Sequence, residues 1–305
     1  MAIDGLLVID KPAGLTSHDV VQRVRKLLAI RRVGHGGTLD PDATGVLLVA
    51  AGRATRFFPF LSRENKVYEG RIRLGVATDT YDASGRPVSE ECRDLPVLGK
   101  LAPAMSAFEG EILQVPPRYS AKKLGGKPVY KLARADEEFT LEPSTVTVAR
   151  FDLKAYRPPF VDFEVECSAG TYIRSLAHDL GRSLGCGAHL ATLRRTSVGP
   201  YTLSSAVPLA DLEEAAATGD AAKHILPLER LLPWAPAATV LAEAEVRVRN
   251  GSPLEPGHLV AFPSGPPQIS AETSLVRLFS GSGKLLALAR PSPDGAKLHP
   301  FLVIS

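Results

Sequence analysis

The residues best suited to chemistry lie in Val33–Gly45, VGHGGTLDPDATG, which gathers His35, Asp40 and Asp42 in one short stretch. Adjacent glycines and Asp40-Pro41 break any regular period, so the stretch reads as an irregular loop and not a helix or central strand. An ionised carboxylate on such a loop is a nucleophile or a general base. Asp-Pro is also ordinary turn chemistry, so the loop by itself leaves a reactive Asp40 and a structural turn both open. A second group lacks an obvious partner. Arg174 falls in the first turn of a helix expected from about Tyr172, where a cation opposes the helix dipole and calls for an anion nearby. Tyr68 opens the apolar face of a strand, and alone it reads as a core tyrosine.

The elements that must hold these groups follow from periodicity. Leu6–Ile9 is a short strand ending at Asp10-Lys11-Pro12. Thr16 and Asp19 have capping-box spacing, and Val20, Val21, Val24, Leu27 and Leu28 form the buried stripe of the helix they start. VLLVAA (46–51) follows the loop as an apolar frame, and Ala54–Leu61 reads as a short helix. Lys66–Gly75 alternates as a strand with Tyr68, Ile72 and Leu74 on one face. Thr78–Pro87 is turn-rich, and Leu95–Phe108 is weakly helical. Val146–Leu153 and Val161–Cys167 are further strands, and Gly185 stops the Arg174 helix.

Composition bounds the class. At 305 residues, with 45% apolar and 23% charged residues, the chain has the make-up of a soluble globular protein of about two domains. The net charge of +3 says little, but its distribution says more. Val115–Ala135 carries Arg118, Lys122, Lys123, Lys127, Lys131 and Arg134 without an acid, interleaved with Tyr119 and Tyr130. Cations among aromatics suit a nucleic-acid backbone with stackable bases. Cys92, Cys167 and Cys186 show no metal or redox spacing, which argues for a reducing compartment. No apolar run nears the ~20 residues of a membrane span, and the amino-terminal stretch lacks a secretory pattern, so the expected location is cytoplasmic.

Long strands interrupted by helices on no alternating plan predict an α+β fold with a mixed, mainly antiparallel sheet. The proline-rich stretch Pro227–Pro236 marks the end of a main domain over 1–235. Beyond it, LVRLF, the turn Gly281–Lys284 and LLALARP predict a hairpin, so 236–305 reads as a small β-rich module.

Five stretches resemble the bacterial TruB-type tRNA pseudouridine synthases, which act on the uridine at position 55 in the T-loop. They are Leu6–Val21, Val33–Leu47, Lys66–Gly85, Val115–Tyr130 and Gly170–Tyr201, in the same order along nearly the whole chain. The resemblance implies a pseudouridine-synthase fold and a PUA-like RNA-binding carboxy-terminal module. It makes Asp40 the essential aspartate, Arg174 its partner and Tyr68 the tyrosine stacked on the flipped base. His35 would fill the space of the displaced nucleotide, Tyr172 and Leu193 would complete the base pocket, and Lys11-Pro12 falls on the amino-terminal Lys-Pro motif. The cationic segment, about 115–145, with Lys122 and Lys123, would grip the T-arm stem-loop.

The chemistry suits these residues. Pseudouridine formation breaks N1–C1′, turns the uracil and joins C5 to C1′, with no gain of atoms or electrons. No cofactor and no metal is therefore expected. Extruding a stacked uridine costs a few kcal/mol, which His35 and Tyr68 would offset. Asp40 must act ionised, and Arg174 is expected to keep its pKa low. Attack at C6, attack at C1′ and removal of the C2′ proton all remain open, and Tyr68 is one candidate acceptor for the C5 proton. Two other readings stand beside this one. A non-catalytic tRNA chaperone would use Asp40 only structurally, and a metal-dependent hydrolase would use Asp40 and Asp42 as ligands. The expected partner is tRNA, with no membrane and no protein partner, for a monomer.

Overall fold

The structure, a computed structural model, describes residues 3–120, 123–124, 127–129, 139–260 and 275–304. An eleven-stranded mixed sheet forms the frame. Its strands in chain order are β1 (Gly5–Lys11), β2 (Val33–Gly36), β3 (Thr44–Ala51), β4 (Lys66–Leu74) and β5 (Gly110–Gln114). A separate two-stranded ribbon, β6 (Lys123–Leu124) with β7 (Lys127–Pro128), interrupts them. The sheet resumes with β8 (Ser144–Arg157), β9 (Phe160–Cys167), β10 (Ala188–Val198), β11 (Tyr201–Thr202), β12 (Val207–Pro208) and β13 (Leu226–Pro227). The main path runs β12-β1-β3-β10-β4-β9-β8-β5. All neighbours on it are antiparallel except β12 with β1 and β3 with β10.

Both faces of the sheet are covered, which is why β1 and β3 read as nearly unbroken apolar runs and not as alternating strands. Leu7, Ile9, Leu47 and Val49 face one core. Packed on that face are α1 (Ser17–Leu28), α3 (Leu98–Ser106), α4 (Ile173–Ser183) and α5 (Leu209–Ala217); a short turn of helix, α2 (Phe58–Leu61), belongs to the other side. The expected capping box forms, with Thr16 and Asp19 each bonded to the other's backbone N–H. Leu6, Val8, Val46 and Leu48 point the opposite way into a second core.

That second core contains the carboxy-terminal module. The module is a four-stranded sheet of β14 (Ala237–Thr239), β15 (Val276–Phe279), β16 (Leu285–Pro291) and β17 (Leu298–Val303) beside a short helix, α6 (Glu245–Arg249). It has a small core of its own around Val248, Leu278 and Ala287. Leu275, Leu285, Leu288, Leu302 and Ile304 nevertheless join Leu6, Val46 and Leu48 in one cluster. Arg53 and Arg56 donate to the carbonyls of Ile304 and Val303, and Arg277 donates to Ala235 O at 2.9 Å. The proline-rich joint is thus a packed seam.

Two departures from the sequence expectation bear on the site. Val33–Gly36, expected as loop, is a strand on β3, so only residues 37–43 are irregular and His35 stands on a ladder opposite Val49. β10 has no counterpart among the expected strands. Two register shifts, at Leu190/Thr192 and Arg195/Ser197, destroy its period-two pattern.

Candidate active site

The loop 37–43 is shaped from three sides. Gly37 turns it at φ +79°, a conformation suited to glycine. Ala43 N–H donates to Asp40 O at 3.1 Å, closing a turn with Pro41 in the second position, where its fixed φ fits. Ser17, the first residue of α1, clasps Leu39 through both its backbone groups, at 2.9 and 3.1 Å. Beneath the turn lies Lys11, fully buried at the end of β1. Its ammonium donates to Leu15 O at 2.6 Å, and to Pro12 O and Pro41 O at 2.9 Å. Burial pushes Lys11 down to about 8, against the pull of Asp42 and Asp40.

Arg174 reaches Asp40 from the first turn of α4. Its Nε lies 3.0 Å from Asp40 Oδ2, and Nη2 lies 3.3 Å from Oδ1, an arrangement of the bidentate kind. The same guanidinium binds Asp82 Oδ2 at 3.1 Å and donates to Tyr119 O and Thr80 O. The start of α4 is itself held by the buried Gln114, which bonds both backbone groups of Tyr172. The anion that the dipole argument demanded of Arg174 is therefore present twice.

The electrostatics correct one expectation. The Asp40 pKa is raised from the usual aspartate value, because enclosure outweighs the pull of Arg174 and Lys11, and Asp82 and Asp42 push the same way as enclosure. The side chain is still 43% exposed, so it is surrounded by protein yet open to the recess, while Arg174 is 8% exposed. Arg174 lowers the carboxyl's pKa, but by less than burial raises it.

Asp40, Arg174, Tyr68, Tyr172 and Leu193 line one recess of about 560 Å³, the size of a small-ligand site. Tyr68 is 7% exposed, and burial pushes its phenol up. Its cross-strand partner on β10 is Arg195, whose guanidinium lies 5.9 Å from the Tyr68 ring. Arg195 is buried and donates to Val46 O at 2.7 Å and Gly37 O at 3.0 Å, bracing both ends of the Asp40 loop. The strands meet closely there: a Cβ on Gly45 would lie 2.1 Å from Arg195 O.

Two candidates lie elsewhere. His35 is not part of the recess lining; its Nδ1 is buried without a partner among the described residues, and burial pushes its pKa down. Lys11 acts on the underside of the loop and not in the recess. Lys122 falls outside the described residues, and Lys123 is described only as a residue of β6. Sequence reasoning misses Asp82, Arg195, Lys66, Ser17 and Gln114. Asp82 lies in TDTYDASG and Arg195 in LRRT, but both take their meaning from partners distant in the chain. Among the described residues no three His, Cys, Asp or Glu side chains gather as a metal site, and no helix is long and apolar enough to cross a membrane.

Comparison with known proteins gives the family. Residues 25–173 match the amino-terminal domain of the TruB family pseudouridylate synthases. Residues 174–233 match the tRNA pseudouridylate synthase B C-terminal domain. The tRNA pseudouridine synthase B of Solibacter usitatus is 42% identical over 286 residues, covering 94% of this chain and 95% of its own. That of Burkholderia pseudomallei (strain 668) is 42% identical over 309 residues, covering 100% of this chain and 98% of its own. Among solved structures, a chain of an H/ACA RNP bound to a substrate RNA containing 2′-deoxyuridine superposes with TM-score 0.74 at 28% identity, covering 99% of this chain and 85% of that one. A chain of a Cbf5–Nop10–Gar1 complex does so with TM-score 0.74 at 30% identity, covering 99% and 84%. With an aspartate clamped by an arginine beside the middle strands of the main sheet, and with near full-length kinship to these enzymes, the chain belongs to the TruB family of tRNA pseudouridine synthases.

Proposed function

We propose that the chain isomerises the uridine at position 55 in the T-loop of tRNA to pseudouridine, acting on a nucleotide turned out of the RNA into the recess of Asp40. One observation carries this reading. Among the described residues Asp40 is the only acid lining the recess, and it is held there bidentately by a buried arginine. A carboxylate fixed in one orientation, open on one side, is what attack on a sugar–base junction, or removal of a proton from it, requires.

The other residues supply position and charge. Tyr68 and Tyr172 present aromatic faces to a base, and Leu193 presents an apolar wall. Arg174, Lys66 and Arg195 make the recess cationic, which favours an RNA backbone at its mouth and a uracil carrying negative charge after N1–C1′ cleavage. N1–C1′ breaks, the uracil turns, C5 bonds C1′, and the C5 proton leaves; the sum is an isomerisation. Burial raises the Tyr68 phenol, which keeps it protonated and suits it to stacking more than to accepting that proton. Lys11 serves the turn that carries Asp40.

The test is tritium release from C5-labelled uridine in tRNA by the purified protein. Release of one tritium per tRNA, abolished when the T-loop uridine at position 55 is replaced by cytidine, is the expected result. Tight tRNA binding with no release would assign the fold to a binding role alone.

A further inference from the structure

A second cavity, of about 760 Å³, lies at the seam between the main sheet and the carboxy-terminal module. Phe60, Arg63 and Glu64 line it from the stretch before β4, Trp234 from the end of the joint, and Arg290 and Pro293 from the module. None of these residues takes part in the site of Asp40.

The lining has an unusual chemistry for a seam. Trp234 is half-exposed inside a concavity, where burying an indole would normally be favourable. The Glu64 carboxyl accepts a hydrogen bond from the indole. The Arg290 guanidinium sits 4.6 Å over the Phe301 ring, which in turn meets Phe60 at 5.9 Å. Arg63 is exposed, and among the described residues neither Arg63 nor Arg290 meets a carboxylate within ion-pair reach.

An exposed aromatic face, a stacked guanidinium and a second unneutralised cation together match one ligand class, an unpaired nucleotide. A base stacks on the indole, its phosphate meets Arg63 or Arg290, and the Glu64 carboxylate accepts from an exocyclic amine. An acidic peptide would use the cations but leave the indole face idle. The position also fits. Asn65 lines this cavity while Lys66 and Tyr68 line the catalytic recess. Three residues of extended chain span only about 10 Å. The recess opens on the face of the first core and the cleft on that of the second, so an RNA that fills both rounds the end of β4.

We propose that this cleft takes an unpaired nucleotide of the bound tRNA lying outside the T-loop, and so measures whether the substrate is a whole tRNA. The inference rests on the reading given under Proposed function.

Trp234 is the only tryptophan in the chain, so its emission reports on this cleft alone. Saturating full-length tRNA should quench it, while an isolated T stem-loop should fill the recess and leave it unmoved. Arg63→Ala should raise the Kd for full-length tRNA about tenfold, the scale of a single stacking or phosphate interaction. It should leave both the Kd for the stem-loop and the single-turnover rate of pseudouridine formation unchanged. Emission unmoved by saturating tRNA, as a peptide-binding cleft would give, overturns the proposal. Equal quenching by the stem-loop overturns it as well. Failure of the stem-loop to yield pseudouridine at all would instead overturn the proposed reaction, independently of the emission.

Discussion

Arg174 Nη1 lies 3.1 Å from Asp82 Oδ2, so the cation beside Asp40 is anchored from behind by a second carboxylate. Asp82 aims the guanidinium and at the same time raises the Asp40 pKa by repulsion. Asp82→Asn should separate these effects. The acid limb of the single-turnover pH–rate profile should move to lower pH, because a like charge has gone. The plateau rate should fall about tenfold to a hundredfold, because Arg174 is no longer aimed, equivalent to about 1.4–2.7 kcal/mol in the barrier. A lower plateau with an unmoved acid limb would mean that Asp82 acts through structure alone.

Asp40→Asn should fold, bind tRNA and form no pseudouridine, since the amide is neither an anionic nucleophile nor a base. The raised pKa fixes the sign of the stability effect. An acid whose folded pKa exceeds its unfolded value costs stability once ionised, and the cost is relieved as pH falls through the folded pKa. At neutral pH the variant's melting temperature should therefore equal or exceed that of the parent. A clear drop, measured by calorimetry, would make Asp40 a structural residue.

Lys11→Met should leave the carbonyls of Pro12, Leu15 and Pro41 without their donor. The expected cost is about 1–3 kcal/mol, or about 2–4 °C in Tm for each kcal/mol. Turnover should fall more than binding, because Pro41 belongs to the turn that carries Asp40. In the parent, the Lys11 ammonium is pushed down to about 8, so an alkaline limb is expected there. The limb should vanish in Lys11→Met. Its persistence would assign it to another group, Lys66 being next, also at about 8.

These residues show what is legible in the chain. Asp40, Arg174 and the capping box of α1 announce themselves by local pattern: a proline turn, a cation at the wrong helix end, a Thr and an Asp three apart. Lys11 is visible only as a motif member, and its buried position follows from its being the last residue of β1 under the loop. Arg195 and the strand that carries it stay hidden, because two bulges erase the alternation and a buried arginine resembles a surface one in sequence. The packed seam is hidden too. A proline-rich stretch looks like a linker, and the residues that seal it, Leu48 and Leu302, lie far apart in the chain.

Replacing Lys122, Lys123 and Lys127 together with Ala should weaken tRNA binding and flatten its salt dependence by about one log–log unit for each phosphate that is no longer neutralised. The rate on saturating substrate should change little. An unchanged salt slope, from titrations at several ionic strengths, would make the cluster a solvated face.

Truncation after Pro236 tests the seam. It removes Leu275, Leu285, Leu288, Leu302 and Ile304 from the core that also holds Leu6, Val8, Val46 and Leu48. Uncovering even a few such side chains, at roughly 1.5–3 kcal/mol each, removes much of a typical net stability of about 5–15 kcal/mol. The expected product is aggregated or poorly folded, as judged by gel filtration and a broadened melt. A soluble fragment with a sharp melt would show that the main domain stands without the module.

The place of β10 in the sheet has a consequence for how the protein is born. It lies between β3 and β4, strands that are synthesised more than a hundred residues before it. During translation those two strands wait with unsatisfied edges, the kind of surface that invites mispairing. The half of the site carrying Asp40 and the half carrying Tyr68 join only when β10 slides between them and Arg195 reaches back to Gly37. A ribosome-bound chain thus holds Asp40 without its far wall, and the recess cannot close until about two-thirds of the chain has been made.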